Sequence, residues 1–476
     1  MTPRLTPVPP GGEPAPAGPG PQAVRDEPPR ELSAIQEVLW TGRRDHGVLG
    51  AAARGLRLTG SVHEEMLMSA IGEVAAAIPV LRAGIITGAG GPVMIPDGPV
   101  PAVSTARVTG SPAERDQRST DILSADRDTV PDLARDPLVR FHIIRTAPDE
   151  TVLGLVADPL VLDLRSVYLV LGAVMQAYFG RFRPAEYPPY EQTADETASR
   201  SRLAWWAKRL AAWDREPGPD GAGAAGPAAA TGERYATLEL DLAAARWARL
   251  SEVAGDAGNS GSAAVIALLV WWLVARGSRA RPSVFASTLD LREYRGLGPV
   301  IGPLTDRVVF QVDLDGYAGM TFRDLVRRAH AGVLDAVIHY VPYRDLVTGG
   351  AAGGQPGPIR PARLWDIAVH YCRLPPASAH TRGERALASR GLSIELFRES
   401  ALARAGLAMP GGTGDGTSAD VHIAESGTGM ALVVNFDARA WPAADVASML
   451  RGIDEMVSTV ITDPATLLSR ATDGRL

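Results

Sequence analysis

Three residues of this sequence are the candidates for accepting a proton from a nucleophile: Asp158, His370 and His142. Asp158 precedes a proline, so it is either a general base in a buried setting or an ordinary turn residue. His370 lies in the strand-like segment Asp366–Tyr371. It is either a base or a strand histidine that forms hydrogen bonds with its neighbours. His142 also lies in a strand pattern, where a structural role is favoured. General acid–base chemistry is therefore the reaction class to test.

Other chemistries find little support in the sequence. It contains no Gly-x-Ser-x-Gly elbow, no Walker loop and no dinucleotide fingerprint in a strand–helix context. Cys372 is the only cysteine, which excludes an internal disulfide and a cysteine-based metal site. No metal and no cofactor are predicted. Hydroxyl groups that could contact a bound carbonyl are present on Ser166, Tyr371 and Ser287.

The composition is that of a globular chain. Its 476 residues predict two to three domains, with 46% apolar and 21% charged residues. The net charge of −6 provides no basic field for nucleic acid. The longest apolar run, Ala263–Ala275, is too short to span a membrane, and the amino-terminal segment lacks the apolar core of a signal peptide. We therefore expect a cytoplasmic protein without nucleic-acid or membrane partners.

Two stretches rich in proline, glycine and alanine divide the chain. Residues 1–30 are predicted to form a disordered tail, and residues 213–233 a flexible linker. They leave two globular blocks, 31–212 and 234–476, of similar size. No fixed-period repeat is visible in either block.

The elements predicted in the first block place Asp158 between a strand and a helix. Ser61 and Glu64 resemble a capping box that begins a helix. The remaining predictions are strands at Val139–Arg145 and Thr151–Val156 and a helix at Leu164–Gly180.

The second block also mixes helices and strands. Its predicted helices are Ala263–Arg276, Thr321–Tyr340 and Ala443–Thr462, and its predicted strands are Ser283–Leu289, Arg307–Leu314, Asp366–Tyr371 and the hairpin Val421–Glu425 with Met430–Phe436. Together the blocks predict an α/β fold with α+β layers.

Six short motifs follow one another in the order of a known family. They are Leu32-Ser-Ala-Ile-Gln-Glu-Val-Leu-Trp40, Pro79-Val-Leu-Arg82, Pro137–Glu150, Val300-Ile-Gly302 with Arg307, Val341-Pro-Tyr-Arg-Asp-Leu-Val347, and Asn435-Phe-Asp437. In this order they resemble the condensation domains of nonribosomal peptide synthetases, over roughly residues 31 to 470. That resemblance implies two chloramphenicol-acetyltransferase-like lobes in a V-shaped arrangement, with a tunnel between them.

The resemblance also implies partners and a site. Condensation domains receive phosphopantetheine-tethered substrates from acyl or peptidyl carrier proteins. Their tunnel motif is His-His-x-x-x-Asp-Gly, whose second histidine assists the attacking amine and whose aspartate pairs with an arginine of the second lobe. The corresponding segment here is Asp158–Ser166.

This segment departs from the motif at three positions. Asp158 and Pro159 replace the two histidines, and Leu164 replaces the glycine, whereas Asp163 and Ser166 fit. Proline has no titratable group, so the family's base does not carry over. Arg292, in Leu289-Asp-Leu-Arg292, is expected to pair with Asp163 across the lobes; two separate surface charges are the alternative.

Three functions follow from these expectations. The first is a docking module that binds carrier-tethered intermediates or recruits a tailoring enzyme, as an altered condensation-like domain does in glycopeptide assembly. The second is an acyl or peptidyl transferase, or a cyclase, that forms an amide or ester in the tunnel, with His370 or Asp158 as the side chain to test. Tyr371 and Ser287 would then line the tunnel. The third is a structural remnant without a ligand.

Overall fold

The structure is a computed structural model of the chain. It describes residues 28–46, 51–88, 90–190, 199–211, 235–255, 260–275, 283–348, 367–373, 391–397, 419–426, 429–439, 441–465 and 468. The predicted linker and nearly all of the predicted tail lie outside the described residues.

The first lobe is built from residues on the amino-terminal side of the predicted linker. Its strands are β1 Arg30–Glu31, β2 Ala52–Thr59, β3 Gly84–Gly88, β4 Gly91–Ile95, β5 Ala102–Arg107, β6 Val139–Ala147 and β7 Glu150–Ala157. Its helices are α1 Ala34–His46, α2 Glu64–Ala77, α3 Pro112–Arg127, α4 Leu164–Tyr178 and α5 Arg200–Ala211.

The second lobe follows the predicted linker. Its strands are β8 Tyr235–Ala243, β9 Ser283–Asp290, β10 Thr305–Val312, β11 Ile367–Arg373, β12 Ser393–Leu396, β13 Ala419–Ser426 and β14 Gly429–Asp437. Its helices are α6 Ala244–Ala254, α7 Ser260–Ala275, α8 Leu291–Arg295, α9 Phe322–Ile338, α10 Tyr343–Thr348 and α11 Ala443–Thr462.

Each lobe has a mixed sheet. The order in the first lobe is β12-β2-β7-β6-β5, and in the second lobe it is β10-β9-β11-β13-β14-β8. Strand β12 therefore crosses from the second half of the chain to pair with β2, with Ser393 opposite Thr59. This exchange ties the lobes together through backbone hydrogen bonds. A small sheet, β1-β4-β3, completes the first lobe.

Alternation of side chains decides which way the second-lobe sheet faces. On β13, Val421 and Ile423 are fully buried in the core with the helices. Asp420 and His422 alternate with them and must point to the opposite side. Helix α7 is apolar on every side and is enclosed by α6, α9 and α11. One face of this sheet thus holds the core, and the other carries polar residues.

Most predicted elements are present, and the layered α/β class with two lobes is confirmed. The hairpin of β13 and β14 and the final helix α11 lie where the pattern predicts them. One cap is wrong: α2 begins after His63, which makes no side-chain cap, and not after Ser61. Capping boxes occur instead at Ser111 before α3 and at Thr321 before α9.

Candidate functional site

The segment that replaces the histidine motif begins with a tight turn after β7. The carbonyl of Asp158 accepts hydrogen bonds from the backbone N–H groups of Val161 and Leu162. Its side-chain Oδ1 accepts a further bond from the N–H of Leu160 at 3.0 Å. Pro159 lies inside this turn. The two positions that carry histidines in the family thus form a hydrogen-bonded corner.

The second carboxylate oxygen of Asp158 is also occupied. Nη1 of Arg43, on α1, lies 2.6 Å from Oδ2 of Asp158, and the Asp158 side chain is 4% exposed. Arg43 donates further to the carbonyl of Pro131. Because both oxygens of Asp158 have partners within the first lobe, this geometry favours a structural role for Asp158 over the role of a base.

Asp163 and Arg292 join the two lobes. Asp163 caps α4 by accepting from the N–H of Ser166 at 2.8 Å. Arg292, on α8, donates Nη1 to one oxygen of Asp163 at 2.7 Å and Nη2 to the other at 3.1 Å. The arginine side chain is 2% exposed and the aspartate 9%. This is a buried, two-pronged ion pair between the lobes.

Further hydrogen bonds surround this pair. Asp163 Oδ2 also accepts from the N–H of Leu304 and the hydroxyl of Thr305. Ser166 Oγ accepts from Nη2 of Arg292 at 2.6 Å and donates to the carbonyl of Gly302 at 2.7 Å. A Cβ at Gly302 would overlap the ring of Tyr190, so glycine is required for this close approach. The fully buried hydroxyl of Ser166 is thus part of the joint.

Leu164, at the position of the family's glycine, is the first residue of α4 and is half-buried. It has ordinary helical surroundings. The structure therefore brings Asp163, Ser166 and Arg292 together, and it leaves Pro159 and Leu164 without a chemical role.

The polar face of the second-lobe sheet carries a different set of groups. Thr288 lies opposite Arg307 in the pairing of β9 with β10, and His370 lies opposite His422 in the pairing of β11 with β13. His370 Nδ1 lies 3.5 Å from the Thr288 hydroxyl. These side chains therefore form one row across four strands.

His370 has a carboxylate beside it. Nε2 of His370 lies 3.2 Å from Oδ1 of Asp420, whose side chain is 6% exposed. Burial by itself would raise the pKa of Asp420, but the hydrogen bond with His370 and the nearby charges of His370, His422 and Arg307 hold this pKa below its usual range. The carboxylate form of Asp420 is thus favoured.

His422 stacks on His370, with ring centroids 4.8 Å apart. Burial, aided by the charge of His370, lowers the pKa of His422 to about 3, although Asp420 acts in the opposite direction. The charge of Arg54, on β2 of the first lobe, also acts on His422. The row of histidines therefore faces the first lobe, in agreement with the alternation along β13.

Tyr371 and Ser287, the two predicted tunnel residues, lie on the helix side of this sheet. Tyr371 follows His370 directly and so points to the helix side, where its ring lies near Gly261 of α7 and its hydroxyl contacts Glu425. Ser287 precedes Thr288 and shares the face of buried Phe285. The two-residue alternation of β9 and β11 thus puts both side chains on the face opposite His370.

His142 is enclosed by partners within the first lobe. Its Nδ1 lies 2.8 Å from the Ser104 hydroxyl, and its Nε2 lies 2.8 Å from Oδ2 of Asp126. Burial would raise the pKa of Asp126, but the hydrogen bond with His142 and the charge of Arg140 outweigh it and lower this pKa. Both ring nitrogens are used, so His142 has a structural position.

A cavity of about 250 Å³ lies where the segment around α1 meets the second lobe. Leu304 and Gln36 line it; the first donates to Asp163, and the second donates to the carbonyl of Leu160. Asp306 also lines the cavity. Burial raises the pKa of Asp306, and hydrogen bonds from Tyr340 and from backbone N–H groups offset only part of this effect. The cavity thus borders the joint between the lobes.

Sequence reasoning missed Asp420, His422 and Arg43. Asp420 was placed just before the predicted hairpin strand, although alternation from Val421 would have put it on the polar face with His422. The role of Arg43 depends on a contact 115 positions away and had no local signal. Among the described residues, no cluster of histidine, cysteine or carboxylate groups could hold a metal ion. No helix in the described part of the chain could cross a bilayer.

Several solved structures share the two-lobed fold of this chain. The tallysomycin biosynthesis protein TlmII is 35% identical, over 92% of this chain and 100% of its own, with a TM-score of 0.70. The X-domain from teicoplanin biosynthesis in its complex with OxyB is 20% identical, over 95% and 98%, with a TM-score of 0.67. The first condensation domain of the calcium-dependent antibiotic synthetase is 15% identical, over 94% and 99%, with a TM-score of 0.69.

No protein-family model matches the chain, and no curated protein does. At 35% identity over nearly the whole of both chains, however, the similarity to TlmII extends beyond the fold. The two-lobed architecture agrees with it, and the buried Asp163–Arg292 pair is the one that the resemblance to condensation domains predicts. The chain belongs to the nonribosomal-peptide condensation-domain family.

Proposed function

We propose that this protein is a docking module of nonribosomal peptide biosynthesis that binds an intermediate tethered to a carrier protein. One observation carries the proposal: the joint between the lobes is complete, while the turn of Asp158 and Pro159 holds no base. A family member that keeps the joint between its lobes without the family's histidines is suited to holding a substrate.

The joint gives this argument its weight. Removing one partner of a buried ion pair leaves the other charge without compensation, which costs about 3–5 kcal/mol. Asp163 and Arg292 share a network with Ser166, Leu304 and Thr305. This network holds the two lobes in a fixed arrangement. We infer that the fixed arrangement serves a ligand that binds between the lobes.

The cavity beside the joint supplies a place for a tethered group. Arg30, Arg295 and Arg344 line it together with Glu31 and Glu37, and Arg344 pairs with Glu37 at 3.2 Å. Phosphopantetheine carries an anionic phosphate diester, and arginine is well suited to phosphate. We therefore place the tether at the arginine side of this cavity. A tailoring enzyme is the second class of partner, by analogy with the X-domain bound to OxyB.

Binding to carrier proteins tests this function. The probes are the carrier proteins encoded in the same gene cluster, with and without the phosphopantetheine arm and an aminoacyl group, measured by calorimetry. We expect binding that strengthens when the arm is present. Arg295→Glu should weaken it about tenfold, equivalent to about 1.4 kcal/mol. The matched control is Arg451→Glu, on the exposed side of α11, which should change it less than about twofold.

Two results contradict the proposal. One is the absence of binding to every loaded carrier. The other is selective retention of an oxygenase from the cluster with no carrier bound, which would assign the chain to enzyme recruitment alone.

A further inference from the structure

The second lobe holds a histidine with the geometry of a base, and this observation goes beyond docking. A carboxylate can only accept hydrogen bonds, so the Asp420 contact at 3.2 Å places the proton of His370 on Nε2. The lone pair is then on Nδ1. That nitrogen lies 3.5 Å from the hydroxyl of Thr288, which is exposed on the polar face.

A second feature of the same site points to a ligand. Nε2 of His422 is buried and has no hydrogen-bond partner among the described residues. The residue as a whole is 9% exposed and stacks on His370. Leaving a buried ring nitrogen without a partner has a free-energy cost. A polar group of a substrate beside His370 could remove this cost.

Charged and polar groups from both lobes surround His370. Asp420 and Thr288 contact it directly, and His422 covers one face of the ring. Two further positive charges act within this cluster: Arg307 on Asp420 and Arg54 on His422. This cluster includes groups from β2, β9, β10, β11 and β13, so both lobes shape the site.

We propose that His370, oriented by Asp420, is the general base for attack of an amine or hydroxyl nucleophile on a thioester carbonyl. The nucleophile's lone pair forms the new C–N or C–O bond, and its proton passes to Nδ1 of His370. The tetrahedral intermediate then collapses, the C–S bond breaks, and His370 returns the proton to the departing sulfur. The products are an amide or ester and a free thiol.

In this scheme His370 is the catalytic residue and Asp420 is a positioning residue. Asp420 fixes the tautomer of the ring and does not touch the substrate. Nε2 of His422 donates one hydrogen bond to the carbonyl oxygen of the bound acyl group. None of these roles uses the segment from Asp158 to Leu164, which distinguishes this site from the histidine motif of the family.

Release of thiol from small thioesters tests the inference. The probes are N-acetylcysteamine thioesters of acetate, octanoate and phenylalanine, with glycinamide as the amine and glycerol as the alcohol. We expect release that depends on one of these acceptors. His370→Ala and His370→Asn should lower kcat about 100-fold or more. Asp420→Asn should lower kcat about tenfold with little change in KM, and it should displace the acidic limb of the pH–rate profile.

His142→Ala is the matched control, because His142 has an equivalent aspartate contact but no open nitrogen. It should change the rate less than about twofold. Thermal unfolding of each variant shows whether it is folded. The inference is overturned if the wild-type chain releases no thiol with any probe pair, or if both His370 variants keep full activity. It is also overturned if mass spectrometry finds the acyl group covalently bound to Thr288.

Carrier binding by the His370 variants separates this inference from docking. Unchanged binding with lost thiol release supports the base. Unchanged binding with unchanged thiol release removes the base and leaves docking in place.

Discussion

The two sides of the space between the lobes use their polar groups differently. On the first lobe, Asp158 binds Arg43 and a backbone N–H, and Asp163 binds Arg292. On the second lobe, His370 has one nitrogen on Asp420, while its other nitrogen faces an exposed hydroxyl at 3.5 Å. The first side is saturated with intramolecular partners, and the second keeps capacity for an external one.

This difference indicates that the groups that stabilise the fold and the groups available for chemistry lie on different lobes. In the family, the segment after β7 carries both the base and the structural aspartate. Here the structural half remains at Asp163, and the titratable groups are concentrated on β11 and β13 of the opposite lobe. Substitutions on the first side should therefore reduce stability, and substitutions on the second side should change pH dependence and rate.

The largest loss of stability is expected for Arg292→Ala. The change leaves Asp163 buried without its cation and removes the hydrogen bonds that Arg292 donates to the carbonyls of Val300 and Gly302. We expect the free energy of unfolding to fall by about 3–5 kcal/mol, measured by urea denaturation. The matched control is Arg165→Ala, because Arg165 pairs with Glu293 at 3.1 Å across the same seam but is 53% exposed. It should cost less than about 1 kcal/mol. Equal losses in the two variants would contradict a buried joint.

A smaller loss is expected for Asp158→Ala. The change removes the Arg43 ion pair and the hydrogen bond from Leu160, so the free energy of unfolding should fall by about 2–3 kcal/mol. Thiol release per folded molecule should stay at the wild-type level. The control is Asp97→Ala, which removes a carboxylate that lies 3.5 Å from Arg82 and is 36% exposed. Loss of thiol release without loss of stability would instead identify Asp158 as a base.

The smallest effect concerns His422 and appears only in acid. Its pKa is about 3 in the folded chain and 6.5 in a model peptide. Between these values the unfolded chain binds a proton that the folded chain does not, so stability falls as the pH falls. The free energy of unfolding should decrease by about 2 kcal/mol from pH 7 to pH 5 through this group alone.

His422→Gln isolates this contribution. The variant should lose less stability than the wild-type chain between pH 7 and pH 5, as measured by urea denaturation at each pH. Asp420 does not interfere, because its pKa lies below the ordinary 3.8 and its contribution is lost only below that pH. Parallel pH dependence in the two proteins would show that His422 is accessible to protons in the folded state.

The fold could be predicted because its signals are local. The alternation around Val421 and Val434 and the turn at Gly429 predict the β13–β14 hairpin, and the apolar helix that follows Pro442 is found from Ala443 to Thr462. The exchange of β12 into the first-lobe sheet was not predicted. That strand has four residues, and its partner β2 lies more than 300 positions away. Pairing at such a separation leaves no periodic signal in the sequence.

The residues of the candidate site also fall into some that a local motif predicts and others that only long-range strand pairing brings together. The family pattern pointed to Asp163 and Arg292, because each matches a motif at its own position in the chain. Tyr371 and Ser287 were candidates for lining a tunnel, and the pleat of the strands turns both toward the helices. The partner of His370 is Asp420, 50 positions later, and only the parallel pairing of β11 with β13 brings them together.

The sequence by itself determined that the family's base is missing, since proline at position 159 cannot bind a proton whatever the fold around it. It also determined the family, through motifs that each occupy a few adjacent residues. Only the tertiary structure decided which remaining groups could do chemistry. A side chain's capacity to accept a proton depends on what already occupies its hydrogen-bonding atoms. For Asp158 those partners are Arg43 and Leu160; for His370 they are Asp420 at 3.2 Å on one nitrogen and the exposed Thr288 hydroxyl at 3.5 Å on the other.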